Sequence, residues 1–531
     1  MGLRRFSKLF FTVVPLCAAL GIESMEAQPV ARPKLVVVFM VDELSAEQLT
    51  VWQKKFERGG IARLMTQGTY LPNVSTVSLS GWQGVNMATF FTGATPSVHG
   101  VVSNMYTDRY SKKVSHSLYG LVNDDKVDST SGIFTNNLLA STVADELTRL
   151  YPKTSKVRAI GMSADILGFA VGHSNEGFYR FNEKSGLVEN RSVGSLPFWV
   201  SGFNDKKFGD IYKAREWGPV TNINDYYQAK FDRDNLSSSF LYRFNTDLDY
   251  SRLIYSPFGN IMMRDLTVSM IINENLGKDE YPDMLTVSFS LKPGVKKTSK
   301  QLDAETEDMA LRLDSEIANM VRFFEENVGL ENVLIILTGA KNPGVAPSDY
   351  QLANVPAGVF NGRKAISLLN LYFMARYGQG KWLQSYHDGA FYLNEQLIAE
   401  KNMSLDDMRR QTAEFLLQMS GIAKAYTYQE LAAVYGKSQI GVVQAFHPKR
   451  SGDVVVELEP GWAEELDNGA IQSRPPQNRQ VPVVFFGAGV PAKTIKRVCP
   501  LIDVAPTICT ILQIAYPNGC EGVAIQELFN K

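Results

Sequence analysis

Length, composition and charge narrow the class of protein before any motif is considered. The chain has 531 residues, of which 45% are hydrophobic and 11% aromatic, so it can bury a sizeable core. Its 54 Lys and Arg residues nearly balance its 55 Asp and Glu residues, which argues against a nucleic-acid-binding protein or a protein held at a membrane by basic residues.

The N-terminus has the pattern of a secretory signal peptide. Basic residues precede the apolar run LFFTVVPLCAALGI, and Ala27 followed by Gln28 offers a cleavage point after a small residue. The apolar run is shorter than the roughly 20 residues that a membrane span needs. We therefore predict a signal peptide over residues 1–27, export to the periplasm or cell surface, and no transmembrane segment in the mature chain.

Short apolar runs along the chain predict buried parallel strands, because they are apolar on both faces. A helical pattern over residues 307–329 lies between two of them, with apolar side chains on one face and Gly329 at its end. This alternation predicts an α/β fold with a central, mostly parallel sheet sandwiched by helices. The predicted strands are residues 34–41, 157–162, 284–290, 332–338 and 481–487.

Three regions interrupt the alternation of strands and helices. The first two, near residues 105–140 and 180–260, are rich in Tyr, Asn, Asp and Ser, and the third lies near residues 375–475. We find no internal repeat and no low-complexity linker. The sequence therefore predicts a single domain over residues 28–531 that carries these regions as insertions or cap segments.

Three cysteines remain after the predicted cleavage point: Cys499, Cys509 and Cys520. An odd number in an exported chain allows one local disulfide and one free thiol. Three reduced cysteines, buried as small hydrophobic side chains, are the other interpretation. The sequence leaves the pairing open.

Five stretches occur in order along nearly the whole mature chain: VVVFMVDELS, FFTGATPSVHGVVSN, YGQGKWLQSYHDGAFYLNEQLI, HPKRSGD and DVAPTICTILQIAYPNGCEG. They resemble the alkaline phosphatase superfamily and, within it, the PafA-type exported alkaline phosphatases of Bacteroidota. The resemblance implies an alkaline-phosphatase-like fold, two zinc ions held by six Asp and His side chains, and a Thr or Ser nucleophile where a strand turns into a helix. Paired metals clamp the attacking and leaving oxygens and activate the hydroxyl.

Most positions that the resemblance assigns to this chemistry carry unsuitable residues. Asp42 matches the first metal-binding Asp and Asn104 matches a substrate-contacting position, whereas the nucleophile's position falls on Gln83. An amide cannot attack phosphorus in this mechanism, and one remaining ligand out of six is too few to hold zinc. We therefore expect no bound metal or other cofactor. The replaced metal positions are Pro293, Lys297, Ala340, Lys341 and Gln480.

Two interpretations of the lysines at this site are open, of which only the first gives them a function. Lys297 and Lys341, with Asn104, could replace the lost metal charge and bind an anion without hydrolysing it. Both lysines could instead form ion pairs with Asp42 or face water.

Catalysis could be rescued in two ways. Ser80 could shift by one turn into the nucleophile's place, although its hydroxyl would lack the metals that activate it. Asp42, Asp165 and Glu176 could form a different, single-metal site, although their spacing is not diagnostic.

The sequence thus predicts an exported pseudoenzyme of the alkaline phosphatase superfamily, with a ligand-binding, protein-binding or scaffold role in the cell envelope. Its partner would be an unknown envelope protein or an anionic ligand, and not nucleic acid. A subunit of an envelope assembly is compatible with this interpretation. The alternative is an active metal-dependent phosphomonoesterase or phosphodiesterase with a remodelled site, which would require zinc.

Overall fold

The fold is described from a computed structural model. The predicted signal peptide, residues 1–27, lies outside the described residues, as does Lys297. The described residues are 32–122, 135–174, 176–191, 195–227, 240–294, 303–341, 344, 346–352, 354–434, 441–466, 469–474 and 480–529.

Strands and helices alternate along most of the described chain. In chain order the strands are β1 (Leu35–Asp42), β2 (Thr69–Ser75), β3 (Met105–Thr107), β4 (Val114–His116), β5 (Gly120–Leu121), β6 (Val157–Gly161), β7 (Phe178–Phe181), β8 (Val188–Asn190), β9 (Glu216–Trp217), β10 (Tyr242–Arg243), β11 (Asp283–Ser290), β12 (Val333–Gly339), β13 (Gly358–Phe360), β14 (Leu383–His387), β15 (Ala390–Leu393), β16 (Ile422–Thr427), β17 (Val454–Leu458), β18 (Trp462–Glu465), β19 (Ile471–Ser473), β20 (Gln480–Gly487), β21 (Lys493–Thr494) and β22 (Cys499–Pro500). The α-helices are α1 (Ala46–Trp52), α2 (Ile61–Gln67), α3 (Gly84–Thr92), α4 (Pro96–His99), α5 (Val143–Leu150), α6 (Ala164–Leu167), α7 (Phe198–Asp205), α8 (Phe208–Lys213), α9 (Ser251–Ile254), α10 (Pro257–Glu274), α11 (Ala304–Asn327), α12 (Pro347–Leu352), α13 (Gly362–Tyr377), α14 (Glu395–Glu400), α15 (Leu405–Leu416), α16 (Tyr428–Val434), α17 (Gly441–Gln444) and α18 (Val504–Leu512).

Ten strands form one central sheet. Its order is β21-β2-β20-β12-β1-β11-β6-β7-β8, and β22 pairs with β2 beside that path. Strands β12, β1, β11, β6 and β7 are parallel to their neighbours in this series. The prediction of an α/β fold with a mostly parallel sheet is confirmed.

Strand β20 differs from the expectation for residues 481–487. It is buried as predicted, but it runs antiparallel to both of its neighbours, β12 and β2. An apolar run indicates that a strand is buried on both faces. The direction of the strand depends instead on the connection that precedes it. The direction was therefore predicted wrongly, while the strand itself was predicted correctly.

Helices cover both faces of the sheet. All eight residues of β1 are buried, and because successive side chains of a strand point to opposite faces, β1 contributes to two separate apolar clusters. Val36, Val38 and Met40 join the cluster that includes α3, α5 and α18. Phe39 and its alternate neighbours join the cluster that includes α10 and α11. The sheet is thus the middle layer of three.

Helix α11 corresponds to the helical pattern that the sequence predicted over residues 307–329. The Asp303 carboxylate accepts a hydrogen bond from the Thr306 N–H at 2.7 Å and so satisfies one free donor at the start of the helix. The apolar face, including Leu313 and Phe324, is buried. Just beyond the helix, Gly329 has a φ of 86°, a left-handed conformation that glycine adopts without steric cost.

The chain between β12 and β20 builds two small sheets with their own apolar core. The sheet orders are β13-β18-β19 and β14-β15-β17-β16. Trp382, Phe391 and Met408 are fully buried in this core, together with residues of α13 and α15. We name strands β13–β19 and helices α13–α17 the second lobe. It contains most of the region near residues 375–475.

Two further properties concern the described residues as a set. Cys499, Cys509 and Cys520 are free thiols, and the first two are buried. No helix within the described ranges is long and apolar enough to cross a bilayer.

Helix α3 is tied to the end of β12 by one buried side chain. The Asn86 Nδ2 donates to the Ala340 carbonyl oxygen at 3.2 Å, and Asn86 is 8% exposed. We predict that Asn86→Ala lowers the free energy of unfolding by about 1–3 kcal/mol, because a buried carbonyl loses its donor. Urea denaturation would measure the change.

The matched control is Asn273→Ala. Asn273 donates the same kind of hydrogen bond, to the Ser269 carbonyl at 2.7 Å, but it is exposed on α10. We expect its effect to stay within about 0.5 kcal/mol. Equal effects of the two substitutions would contradict the role given to Asn86.

Candidate functional site

Asp42 is the last residue of β1. It lies where the parallel strands of the central sheet end, and we name this end of the sheet the carboxyl edge. Asp42 lies opposite Ser290, the last residue of β11, and the Leu291 N–H donates to the Asp42 carbonyl oxygen at 3.1 Å. Pro293 follows three residues after the end of β11 and is buried. Asp42 and Pro293, two of the positions that the resemblance assigns to metal binding, therefore both lie at the carboxyl edge.

The end of β12 brings two more of these positions to the same edge. Gly339 lies opposite Val41, and the Ala340 N–H donates to the Val41 carbonyl oxygen at 3.1 Å. Ala340 is fully buried, and Lys341 is half-buried. Parallel pairing thus places Ala340 and Lys341 beside Asp42.

Gln480 reaches this edge by running in the opposite direction. It is the first residue of β20 and pairs with Ser75, the last residue of β2. Further along β20, Val483 pairs with Thr338 near the end of β12. An antiparallel strand enters a sheet at the edge where its neighbours leave it, so Gln480 lies at the carboxyl edge.

The nucleophile's position belongs to the loop that enters α3. Gln83 directly precedes the helix and its side chain forms no capping hydrogen bond, and among the described residues its buried Oε1 has no hydrogen-bond partner. At Gly84 a side chain would collide with the Trp82 indole, so the turn requires a glycine. All nine residues of α3 are buried. We name this turn into α3 the elbow, and it holds the Gln83 amide at the start of a fully buried helix.

Carboxyl groups share this edge with the ammonium groups of Lys341 and Lys292. Asp42 is 8% exposed, and its Oδ1 has no hydrogen-bond partner. Burial raises the pKa of Glu43, the charge of Asp42 raises it further, and the charge of Lys341 opposes both effects. Burial also raises the pKa of Asp165, which an N–H of Trp82 and the charge of Lys341 partly offset. Lys341 is therefore within electrostatic reach of several carboxyl groups.

Lys341 nevertheless has no direct partner within the described part of the chain. It forms neither a hydrogen bond nor an ion pair there, so the ion pair with Asp42 that the sequence allowed is not formed. Asn104 lies in the loop before β3, where its Oδ1 accepts from the Met105 N–H at 2.8 Å. Lys297, the third residue of the predicted anion site, lies outside the described residues.

The structure does not form either of the arrangements considered as a rescue of catalysis. Ser80 lies three residues before Gln83, and its hydroxyl donates to Asp388 in the second lobe. No group of three or more His, Cys, Asp or Glu side chains among the described residues could hold a metal ion. Asp42 is buried, Asp165 is half-buried and Glu176 is exposed, and these three do not form a group that could hold a metal ion.

The residues at the edge do not fit a binuclear zinc site. Zinc needs thiolate, imidazole or carboxylate ligands, usually four for each ion. Pro293 and Ala340 have no donor side chain, Lys341 carries a positive charge, and Gln480 offers only an amide. Among the described positions that the resemblance assigns to metal binding, Asp42 alone carries a suitable ligand, and no catalytic step can be derived through zinc here.

Sequence reasoning missed Glu43 and Trp82 as members of the site. Glu43 directly follows the retained Asp42, and its φ of 60° turns the chain in a way that few residues other than glycine adopt. Its position after a buried strand was a usable signal. Trp82 gave no signal, because its proximity to Asp165 depends on tertiary packing.

The sequence profile described as "Type I phosphodiesterase / nucleotide pyrophosphatase" matches residues 36–470. Among curated relatives, alkaline phosphatase PafA of Elizabethkingia meningoseptica is 25% identical, with 99% of each chain covered. Alkaline phosphatase PhoV of Synechococcus elongatus is 26% identical and covers 95% of this chain and 94% of its own. A protein of Myroides odoratus named calcium-transporting ATPase is 26% identical, with coverages of 97% and 98%.

Solved structures share the fold. The crystal structure of wild-type alkaline phosphatase PafA superposes with a TM-score of 0.82 at 22% identity, and covers 95% of this chain and 100% of its own. Human ectonucleotide pyrophosphatase / phosphodiesterase 5 gives a TM-score of 0.51 at 9% identity, with coverages of 93% and 100%. This chain therefore belongs to the type I phosphodiesterase / nucleotide pyrophosphatase family of the alkaline phosphatase superfamily.

Proposed function

We propose that this chain is a non-hydrolytic member of its family, exported to the periplasm or cell surface, where it binds a ligand or another protein of the cell envelope. The observation that carries the proposal is the set of side chains at the carboxyl edge. Gln83 occupies the nucleophile's position, and Asp42 is the one suitable metal ligand among the described positions. Export rests on the pattern of residues 1–27.

Physical chemistry explains why these substitutions remove hydrolysis together. A carboxamide such as Gln83 has no proton whose loss would make a nucleophile at neutral pH, whereas a Thr or Ser needs only metal contact for activation. The ammonium of Lys341 adds a positive charge where a divalent cation would bind, and the two like charges repel. Restoring the hydroxyl alone would therefore not restore the reaction.

The alternative is a metal-dependent phosphomonoesterase or phosphodiesterase with a remodelled site. The names of PafA and PhoV favour it, because both relatives are named alkaline phosphatases. It would require zinc and a donor set different from the one at the carboxyl edge. The chemistry of the edge makes it the second candidate.

We predict no turnover of p-nitrophenyl phosphate or bis-p-nitrophenyl phosphate above the rate in buffer, with or without added zinc. Gln83→Thr should be equally inactive, because the hydroxyl would still lack the metals that activate it. Colorimetric assays, with PafA as the positive control, would measure both. Zinc-dependent turnover that Gln83→Ala or Asp42→Asn abolishes would instead establish the alternative.

Lys341 is the residue through which we propose that the edge binds a phosphorylated or sulfated ligand, with Asn104 and Lys297 as further candidates. Its half-buried ammonium has no direct partner among the described residues, so an incoming oxyanion could supply one. Asp42 and Glu43 lie within electrostatic reach and weaken this attraction. We therefore expect affinity in the millimolar range, about 4 kcal/mol of binding free energy.

We predict that inorganic phosphate raises the Tm of the mature protein and that Lys341→Ala removes most of this shift, because binding to the folded state alone stabilises it. Differential scanning fluorimetry would follow the shift across a phosphate titration. Lys381→Ala, at an exposed lysine in the second lobe, is the control and should leave the shift unchanged. Absence of a shift, or an equal shift in Lys341→Ala, would rule out this site.

A further inference from the structure

A hairpin of the second lobe reaches the loop that precedes Gln83. Strands β14 and β15 are joined by Asp388 and Gly389, whose φ values of 47° and 83° are both positive. An Asp-Gly pair with this geometry makes the tight two-residue turn of a hairpin. The hairpin therefore presents the Asp388 carboxylate at its tip.

The Asp388 carboxylate accepts hydrogen bonds from the loop that precedes Gln83, which we name the elbow loop. Its Oδ2 accepts from the Ser80 hydroxyl, and its Oδ1 accepts from the Gly81 N–H at 3.3 Å. The same hydroxyl accepts from the Trp82 N–H at 2.9 Å, so it helps to fix the main chain just before Gln83. A side chain at Gly81 would collide with Gln472 of β19. The second lobe thus covers this loop closely.

A buried guanidinium completes the set of donors around Asp388. The Arg474 Nη2 donates to Asp388 Oδ1 at 2.6 Å and also to the Asp388 carbonyl oxygen. Its Nε pairs with the Glu464 carboxylate at 2.9 Å. The side chains of Arg474, Asp388 and Glu464 are only 5%, 6% and 3% exposed. One cation is therefore shared by two buried carboxylates.

Because of this charge balance, the Asp388 carboxylate can be removed from the three charged side chains without leaving a buried charge unpaired. Without its carboxylate, Arg474 and Glu464 still form a neutral pair, whereas loss of Arg474 would leave two buried anions together. A hydroxyl, a main-chain N–H and a guanidinium would then converge on the vacant place. These are the donors that recognise a carboxylate group in proteins.

We propose that Ser80, Gly81 and Arg474 form a binding site for a small carboxylate ligand, and that Asp388 is its internal occupant, displaced when the hairpin withdraws. The site differs from the carboxyl edge around Asp42 and Lys341, so the proposal does not depend on the absence of hydrolysis. An external carboxylate in place of Asp388 would hold the elbow loop through the same donors.

A small cavity and exchangeable polar contacts lie beside the tip. The cavity has a volume of about 20 Å³, enough for one water molecule. Ser80, Ser103, His387, Asp388 and Ser451 contribute its polar lining. The other side of the hairpin is held to Thr107 of β3, whose hydroxyl lies 2.8 Å from the Ser385 hydroxyl and 3.2 Å from His387 Nε2. These polar contacts can be exchanged for contacts with water.

The test is hydrogen–deuterium exchange of the full mature chain, read on a peptide that spans residues 78–84. We expect Asp388→Ala to exchange several-fold faster there than the wild type, because the Gly81 N–H loses its acceptor. Sodium acetate or formate should restore much of the protection, whereas sodium chloride at the same concentration should not. Asp406→Ala, which removes an exposed carboxylate that pairs with Arg409 at 3.2 Å, should leave this peptide unchanged.

Ser80→Ala keeps both ion pairs of Arg474 and provides a second variant should Asp388→Ala fail to fold. It removes one donor to the carboxylate, and we expect faster exchange of the same peptide. Unchanged exchange in either folded variant would overturn the proposal. So would restoration of Asp388→Ala by chloride as well as by acetate, because the site would then recognise only charge.

Discussion

Main-chain pairing of β1 with its parallel neighbours β11 and β12 is the constraint on which the rest of the site depends. Each strand of a parallel sheet must end at the same edge, so the residues that follow β1, β11 and β12 lie together whatever their side chains are. Asp42, Pro293, Ala340 and Lys341 meet for this reason. The geometry of the edge is a property of the fold, whereas its chemistry is set by a few side chains.

The elbow has a packing role that does not require a nucleophile at Gln83. Helix α3 is fully buried, and Asn86 ties it to the end of β12, so its position is required for packing. Gln83 stands at the start of this helix without a hydrogen-bond partner for its Oε1. Packing of the core is enough to hold the elbow in place. A shared fold is therefore weak support for a shared reaction, and the reaction must be judged from the side chains of the site.

Much of this arrangement could be predicted from the sequence, because local patterns specify it. The apolar run of β1 and the helical face that includes Leu313 and Phe324 each encode one element and its buried side. The direction of β20 could not be predicted, since burial on both faces is compatible with either direction. The contact of Ser80 with Asp388 and Arg474 joins residues from distant parts of the chain, and no local pattern reports such a contact. Glu43 is an intermediate case. It directly follows Asp42, a predicted metal ligand, but we did not predict from the sequence that Glu43 belongs to the site.

The central claim is that the carboxyl edge has lost its metal site, and metal stoichiometry tests it most directly. The purified mature protein would be dialysed against zinc, freed of excess metal and analysed by mass spectrometry. With one suitable ligand at the described positions, we expect less than about a tenth of an equivalent of zinc per chain. Two tightly held zinc ions per chain would contradict the account and would make a phosphatase the better interpretation.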